Sequence, residues 1–280
     1  MNPIEISIVI STYNHPEWLQ KVLWSFEYQD FKKFELIIAD DGSTEETKIC
    51  IDNFRKSVDF PVKHVWHEDD GFQKTKILNK ALLICDADYI LFTDGDCIVR
   101  NDFLQKHIDY REKGCFLSGG YFKLPMSVSK LISKLDIKEQ KCFDIKWLKS
   151  NGLKSSFKNN KITACGLKER LLNKFTPTTA TWNGHNSSGW KKDIMAVNGF
   201  DERMQYGGED RELGERMFNN GIKAKQIRYS AICLHLDHAR GYVKPEMIKK
   251  NKAIRTITKK EKVIKTPYGI EKLKNDKAQR

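Results

Sequence analysis

The chain has 280 residues, 40% hydrophobic and 11% aromatic, which is enough to bury one good core and excludes wholesale disorder. Its net charge of +12 is concentrated in two stretches, since residues 121–174 and 241–280 each carry 13 Lys/Arg against 4 Asp/Glu. No run reaches the ~18 apolar residues of a membrane-spanning helix, no basic-then-apolar secretory pattern opens the chain, and the seven scattered cysteines suggest reduced thiols in the cytoplasm rather than a zinc site.

Residues 4–121 alternate strand and helix signals. Ile4–Ser11 reads as a buried strand, and Pro16–Tyr28 as a helix with Trp18, Val22 and Phe26 on one face. Phe34–Ala39 is a second apolar strand ending in Asp40-Asp41-Gly42-Ser43, with a helix from about Thr44. Val62–Trp66 is a third strand, Phe72–Ile84 a helix, and Tyr89–Thr93 a fourth strand that runs into Asp94-Gly95-Asp96. Such βα steps imply a mostly parallel sheet with helices on both faces, and ligands collect outside the carboxyl ends of its strands. Those ends carry Thr12-Tyr13-Asn14, Asp40-Asp41, His67-Glu68-Asp69-Asp70 and Asp94-Gly95-Asp96.

The rhythm breaks over residues 122–178, where Lys is abundant and Val128, Leu131, Ile132 and Leu135 space as an amphipathic helix. This stretch reads as a basic insertion covering the acceptor side. No strand is expected before about Thr179. Further on, Gly207-Gly208 leads into a helix over Glu209–Asn219, Ile222–Leu234 is extended, and residues 241–280 form a basic tail with helical stretches.

Two acidic pairs carry the chemistry. A carboxylate in Asp94-Gly95-Asp96 can hold Mg²⁺ or Mn²⁺ and leave positions for diphosphate oxygens. An acidic turn after a strand is also common without a ligand, but here it ends a strand inside a βα sheet. Glu209-Asp210 opens a helix, where acids favour the dipole, and it is also where a general base for an acceptor hydroxyl could stand. His235 and His238 lie beyond an apolar stretch, and an imidazole there, His235 by preference, would complete a metal shell. Trp182-Asn183-Gly184-His185-Asn186 offers an aromatic plane and amides suited either to sugar hydroxyls or to an ordinary polar turn. Thr12, Tyr13 and Asn14 offer polar groups and an aromatic face to a base.

In combination these motifs resemble an inverting GT-A glycosyltransferase. Val9-Ile10-Ser11-Thr12-Tyr13-Asn14, Ala39-Asp40-Asp41-Gly42-Ser43 and the DxD are similar to the family 2 pattern. Phe72 to Asn79, Asn198-Gly199-Phe200 and Tyr206-Gly207-Gly208-Glu209-Asp210 resemble the galactosyltransferase carboxyl-terminal region of β-1,4-galactosyltransferases and bacterial chondroitin- and hyaluronan-type polymerases. The resemblance implies a Rossmann-like nucleotide-binding half (residues 1–121) and an acceptor half (179–240) of one α/β domain. It implies Asp96 and His235 as metal ligands for Mn²⁺ or Mg²⁺, Asp94 near ribose and metal, Asp40 near the uracil, and Asp210 as the base. Glu209, Tyr206, Gly208, Trp182 and Asn186 would face donor or acceptor sugar, while Thr12, Tyr13, Asn14, Phe72, Lys74 and Asn79 would line the nucleotide. Lys74 stands where this group often has arginine, which keeps the charge and loses the bidentate fork. Tyr206 replaces a stacking tryptophan, and Leu78 a common arginine.

The expected activity is transfer of a sugar from a UDP-sugar to a glycan or lipid-linked glycan, forming a β-linkage in bacterial surface polysaccharide or lipopolysaccharide synthesis. The basic segments would dock the protein on the anionic inner face of the cytoplasmic membrane. Two alternatives compete with this reading. A sugar nucleotidyltransferase would want a glycine-rich basic loop after the first strand, which Ser11-Thr12-Tyr13-Asn14-His15-Pro16 lacks. A nucleic-acid or anionic-surface binding module would use the basic stretches but leave the strand-end carboxylates unexplained, so no nucleic-acid partner is expected.

Overall fold

The computed structural model describes residues 3–239 and 243–271, so residues 241–242 and 272–280 of the basic tail lie outside the described residues. Four apolar strands, β1 (Ile6–Thr12), β2 (Phe34–Asp40), β3 (Val62–Trp66) and β4 (Tyr89–Asp94), lie parallel in the order β3-β2-β1-β4. β1 and β2 have almost no exposed residue, as expected of strands covered on both faces. The register pairs Thr12 with Asp40 and Ser11 with Asp94, so three strands deliver their polar ends to one edge.

The helix Pro16–Glu27 buries Trp18, Leu19, Val22, Leu23 and Phe26 on one side of the sheet. The helix Lys74–Leu83 buries Ile77, Leu78, Ala81 and Leu82 on the other. Beyond β4 the sheet turns mixed: β6 (Cys115–Ser118), β8 (Ser187–Trp190) and β9 (Lys223–Gln226) extend it in the order β4-β8-β6-β9, with β8 antiparallel to both neighbours.

A second, three-stranded sheet joins β5 (Cys97–Val99), β10 (Ile232–His235) and β7 (Gly120–Lys123). These short strands carry too little periodicity to be read from the sequence. The stretch read as extended from Ile222 to Leu234 is two strands, β9 and β10, in different sheets. The separation matters because β10 pairs with β5 in a register that sets His235 opposite Cys97, next to Asp96.

After β7 ends at Lys123, residues 124–178 hold short helices joined by turns, and the single amphipathic helix expected through Leu135 is two. Met126–Leu131 ends before Ser133, which starts Lys134–Lys138 with a capping box to Asp136. Val128, Ile132, Ile137, Cys142 and Leu148 are buried in the same core as the helix Pro16–Glu27. The buried Lys21 ammonium donates to the carbonyls of Ser129 and Lys130, both at 2.9 Å. Residues 126–148 therefore share a core with that helix, residues 160–163 pack on β7, and none of the described residues of 122–178 lines the main cavity. The expectation that this stretch covers the acceptor side reduces to contact with the wall from outside, where Lys161 donates to the carbonyl of the cavity residue Tyr121 at 2.8 Å. Near the C-terminus, the helix Pro245–Lys260 packs on the helix Glu209–Asn219. Among the described residues no helix is long and apolar enough to cross a membrane.

Candidate active site

A cavity of about 930 Å³ opens at the carboxyl ends of β1 and β4. Its donor-side wall is Thr12, Tyr13, Asp41, Phe72, Lys74, Asp94 and Asp96. The facing wall is Gly184, His185, Tyr206 to Arg211, and Lys244 and Arg255 from the C-terminal helix region. Asp94 is fixed by Ser11 Oγ at 2.7 Å and Lys74 Nζ at 2.6 Å, both donating to its Oδ1. Burial works against the Lys74 ammonium, but the charges of Asp94, Glu209 and Asp210 more than reverse it, so its pKa is raised. For Asp94, burial opposes ionisation, and Lys74 outweighs it and holds the carboxyl well below the usual carboxylate range.

The two distant acidic pairs meet at Gly184. A methyl group added there would lie 3.4 Å from Lys74 Nζ, 3.9 Å from Asp94 Oδ1 and 4.0 Å from Asp210 Oδ2. Asp210 accepts hydrogen bonds from the Gly184 N–H (2.9 Å) and the Arg211 N–H (2.7 Å), which orient its carboxylate. The sharp entry to its helix requires glycine, since Gly207 and Gly208 have φ of 109° and 89°. Glu209, by contrast, is buried, and burial with the adjacent Asp210 charge pushes its pKa up to about 7.

Asp96, His235 and His238 form a potential cation site, with ligand atoms all within 4.8 Å of one another. His238 Nε2 lies 2.9 Å and His235 Nε2 3.6 Å from Asp96 Oδ2. The Nδ1 of His235 is 2.8 Å from the Leu236 carbonyl and that of His238 2.9 Å from the Ala239 carbonyl. A carbonyl oxygen only accepts, so each Nδ1 carries the hydrogen and each Nε2 turns toward the carboxylate. Two imidazoles and one carboxylate suit a divalent ion such as Mn²⁺. The residues present thus fit the metal that the resemblance implies, with His238 added to the expected pair. The His235-x-x-His238 spacing at a strand end was the signal for it. His185, also in the wall, is pushed down to about 4 by burial and is neutral at physiological pH.

Several expected ligand contacts are corrected. Trp182 is fully buried against Phe92 and Phe116, and is a core residue rather than a sugar platform. Asn186 is also buried, donating to the carbonyls of Gly120 (2.8 Å) and Ala231 (3.0 Å). Their neighbours Gly184 and His185 reach the cavity in their place. Asn79 exchanges hydrogen bonds with the backbone of Phe200, at 2.9 and 2.8 Å, and closes the Asn198-Gly199-Phe200 loop. Asp40 is buried, accepting from the Ser43 N–H (2.8 Å) and facing His64 Nε2 at 3.0 Å, while Asp41 lines the cavity. Asp41 also accepts from the Gln73 N–H (3.0 Å), anchoring the turn that presents Phe72 and Lys74. Asn14 binds the Thr44 and Ser43 loop, at 2.8 and 2.9 Å, and is not in the cavity wall. Thr12, Tyr13, Phe72, Lys74, Asp94, Asp96, Tyr206, Gly208, Glu209, Asp210 and His235 do line it. Tyr121, Lys244 and Arg255 join them unforeseen, Tyr121 from β7 and the other two from the C-terminal helix Pro245–Lys260 and its N-cap, with no motif around them; His185 comes from the motif that Trp182 and Asn186 frame.

This geometry has counterparts. The family model described as "Glycosyl transferase family 2" matches residues 7–160, more than half the chain, and that described as "N-terminal domain of galactosyltransferase" matches residues 173–239. The chain is 24% identical over 261 residues to the uncharacterized glycosyltransferase YfnE of Bacillus subtilis, covering 84% of this chain and 65% of that protein. It is 28% identical over 104 residues to the poly(ribitol-phosphate) beta-N-acetylglucosaminyltransferase TarS of Staphylococcus aureus, covering 36% of this chain and 18% of the relative. It thus spans less than two thirds of these curated relatives. Among solved structures, S. aureus TarS 1–349 in complex with UDP-GlcNAc superposes with a TM-score of 0.59 at 16% identity, covering 93% of this chain and 70% of that one. Glucosyl-3-phosphoglycerate synthase from Mycobacterium tuberculosis, in complex with Mn²⁺, UDP-glucose and phosphoglyceric acid, gives 0.54 at 16% identity, covering 91% and 79%. The fold is that of the GT-A glycosyltransferases.

Proposed function

Because the chain belongs to glycosyl transferase family 2 and is a glycosyltransferase, we propose that it moves a sugar from a UDP-sugar to a hydroxyl of a glycan or lipid-linked glycan with inversion. The carrying observation is the convergence at Gly184, where Lys74, Asp94 and Asp210 come together from segments far apart in the chain. The reading divides the cleft into a nucleotide-sugar half, residues 1–121, and an acceptor half, residues 179–240.

In this reading Tyr13 and Phe72 offer aromatic faces to the base, and the Lys74 ammonium faces the diphosphate. Asp210 accepts the proton of the acceptor hydroxyl as its oxygen attacks the anomeric carbon. Attack comes opposite the UDP oxygen, which leaves with the bonding pair, so an α-linked donor gives a β-linked product. Asp96, His235 and His238 would hold Mn²⁺ or Mg²⁺, which when bound offsets charge on the leaving diphosphate. Tyr206, Gly208 and Glu209 border the sugar. The acceptor class follows relatives such as TarS, whose name specifies poly(ribitol-phosphate), and the GalNAc(5)-diNAcBac-PP-undecaprenol beta-1,3-glucosyltransferase of Campylobacter jejuni. The two cationic stretches fit work at the anionic inner face of a bacterial cytoplasmic membrane.

A UDP-release screen across common UDP-sugars tests this without an acceptor. Release from one or a few donors, dependent on Mn²⁺ and abolished by EDTA, is expected. Release only from sugars carried on other nucleotides would overturn the donor assignment, and unchanged release in EDTA the metal.

A further inference from the structure

The helix Gly166–Phe175 is built inside out. A surface helix ordinarily buries its apolar stripe and exposes its polar face. Here the face toward the protein is largely polar, with Leu172 half-buried three residues on from Glu169. Glu169 is buried beside Lys106 (3.9 Å) and Tyr110 Oη (3.4 Å), and Asn173 bridges Ser230 Oγ (2.8 Å) and the Tyr229 N–H (2.9 Å). The outward face carries Leu167, Leu171 and Phe175, four residues apart, at 73%, 46% and 70% exposure. Phe157, in a turn separated from this helix by the short helix Asn160–Thr163, is 73% exposed.

Cations border this stripe. At 3.6 residues per turn, Lys168 falls on one side of it and Arg170 and Lys174 on the other. Among the described residues none of these three belongs to an ion pair, and Lys154 and Lys158 precede them in the sequence. The single acid of residues 154–175, Glu169, is buried on the opposite face. Apart from the Lys174 ammonium 5.6 Å from the centre of the Phe175 ring, three large apolar side chains are held in water beside cations that have no ion-pair partner among the described residues.

We propose that the outer face of the helix Gly166–Phe175 lies on an anionic lipid surface, with Leu167, Leu171 and Phe175 sunk among the acyl chains and Lys168, Arg170 and Lys174 against lipid phosphates. Interfacial helices combine these two elements, with long basic side chains reaching back to the headgroups. Two copies of the chain meeting through this face would oppose like charges. A nucleic acid would satisfy the cations and leave the apolar stripe in water.

The face is tied to the cleft. Lys161 donates to the Tyr121 carbonyl at 2.8 Å and sits 5.1 Å from that ring's centre, and Tyr121 lines the cavity. Asn173 holds the turn at Tyr229 and Ser230 that leads into β10 and His235. A lipid-linked acceptor would therefore meet the cleft close to the bilayer, an inference that rests on the transferase reading.

Flotation of the full chain with phosphatidylglycerol–phosphatidylcholine vesicles and with pure phosphatidylcholine vesicles tests the proposal. The wild type should float with the anionic vesicles, and the triple variant Leu167→Gln, Leu171→Gln, Phe175→Gln should partition about ten-fold less or weaker. Phe175→Gln alone should give a smaller loss. Replacing Lys168, Arg170 and Lys174 by Gln should weaken binding mainly on anionic vesicles at low salt. Both triple variants should keep acceptor-independent UDP release, which shows that the cleft is intact. Three results would overturn the proposal: no flotation of the wild type, flotation of the apolar variant equal to wild type, or a wild-type dimer that this variant converts to monomer. Expected flotation without UDP release from any donor would instead leave the lipid surface standing and sink the transferase reading.

Discussion

The two walls of the cleft are built on opposite plans. The donor-side wall comes mainly from one sheet edge, where β1, β2 and β4 end in register and their last residues must lie together. The acceptor-side wall gathers Gly184 and His185, the start of the helix Glu209–Asn219, and Lys244 and Arg255, each from a different stretch of chain. A wall made by strand pairing tolerates little movement, because shifting one residue disturbs the ladder. A wall made by packed loops and helices can vary its side chains one at a time; in the proposed reading the nucleotide residues sit on the first wall and the acceptor residues on the second, while the candidate cation site joins Asp96 to His235 and His238 at the end of β10.

The largest expected effect lies on the donor wall. Asp96→Ala should weaken UDP binding in Mn²⁺ by about 10²-fold or more, to the level seen in EDTA. His235→Ala and His238→Ala should each do so in part. Calorimetry with and without EDTA checks this, and a normal metal response in His238→Ala would remove that residue from the site.

The second prediction separates core from wall. Trp182→Ala should cost about 3–5 kcal/mol of stability while leaving UDP affinity unchanged, as thermal unfolding and calorimetry would show. A rise in acceptor KM with unaltered stability would restore Trp182 to the acceptor wall and blur the distinction.

The smallest expected effect concerns Glu209. Its folded pKa of about 7 stands above the ordinary value of 4.5, so the folded state favours the protonated form. The stability this contributes is complete below pH 4.5 and is lost as pH rises through about 7. Glu209→Gln should flatten that decline, so the variant gains on wild type between these limits in denaturant titrations. Parallel curves would mean that Glu209 is ionised in the fold throughout.

Legibility in the sequence followed the same division. β1 to β4 and the helices after β1, β2 and β3 were readable because long apolar runs and 3.6-residue spacing persist there. The strands β5, β6 and β7 have only three or four residues each, and their pairing is set by partners far along the chain. Asp94, Asp96 and Asp210 stood out as acids at strand and helix ends. Trp182, Asn186 and Asn79 were misplaced because polar and aromatic groups suited to a sugar also suit a buried hydrogen-bonded corner. The difference between Asp40 and Asp41 depends on which side chain the turn directs inward, and two adjacent aspartates look alike in sequence.

The central claim is that Asp210 removes the acceptor proton across the gap from the donor. The most direct measurement is turnover and UDP affinity of Asp210→Asn on one preparation. The account predicts kcat lower by about 10²-fold or more with UDP affinity in Mn²⁺ unchanged; kcat near wild type would contradict it.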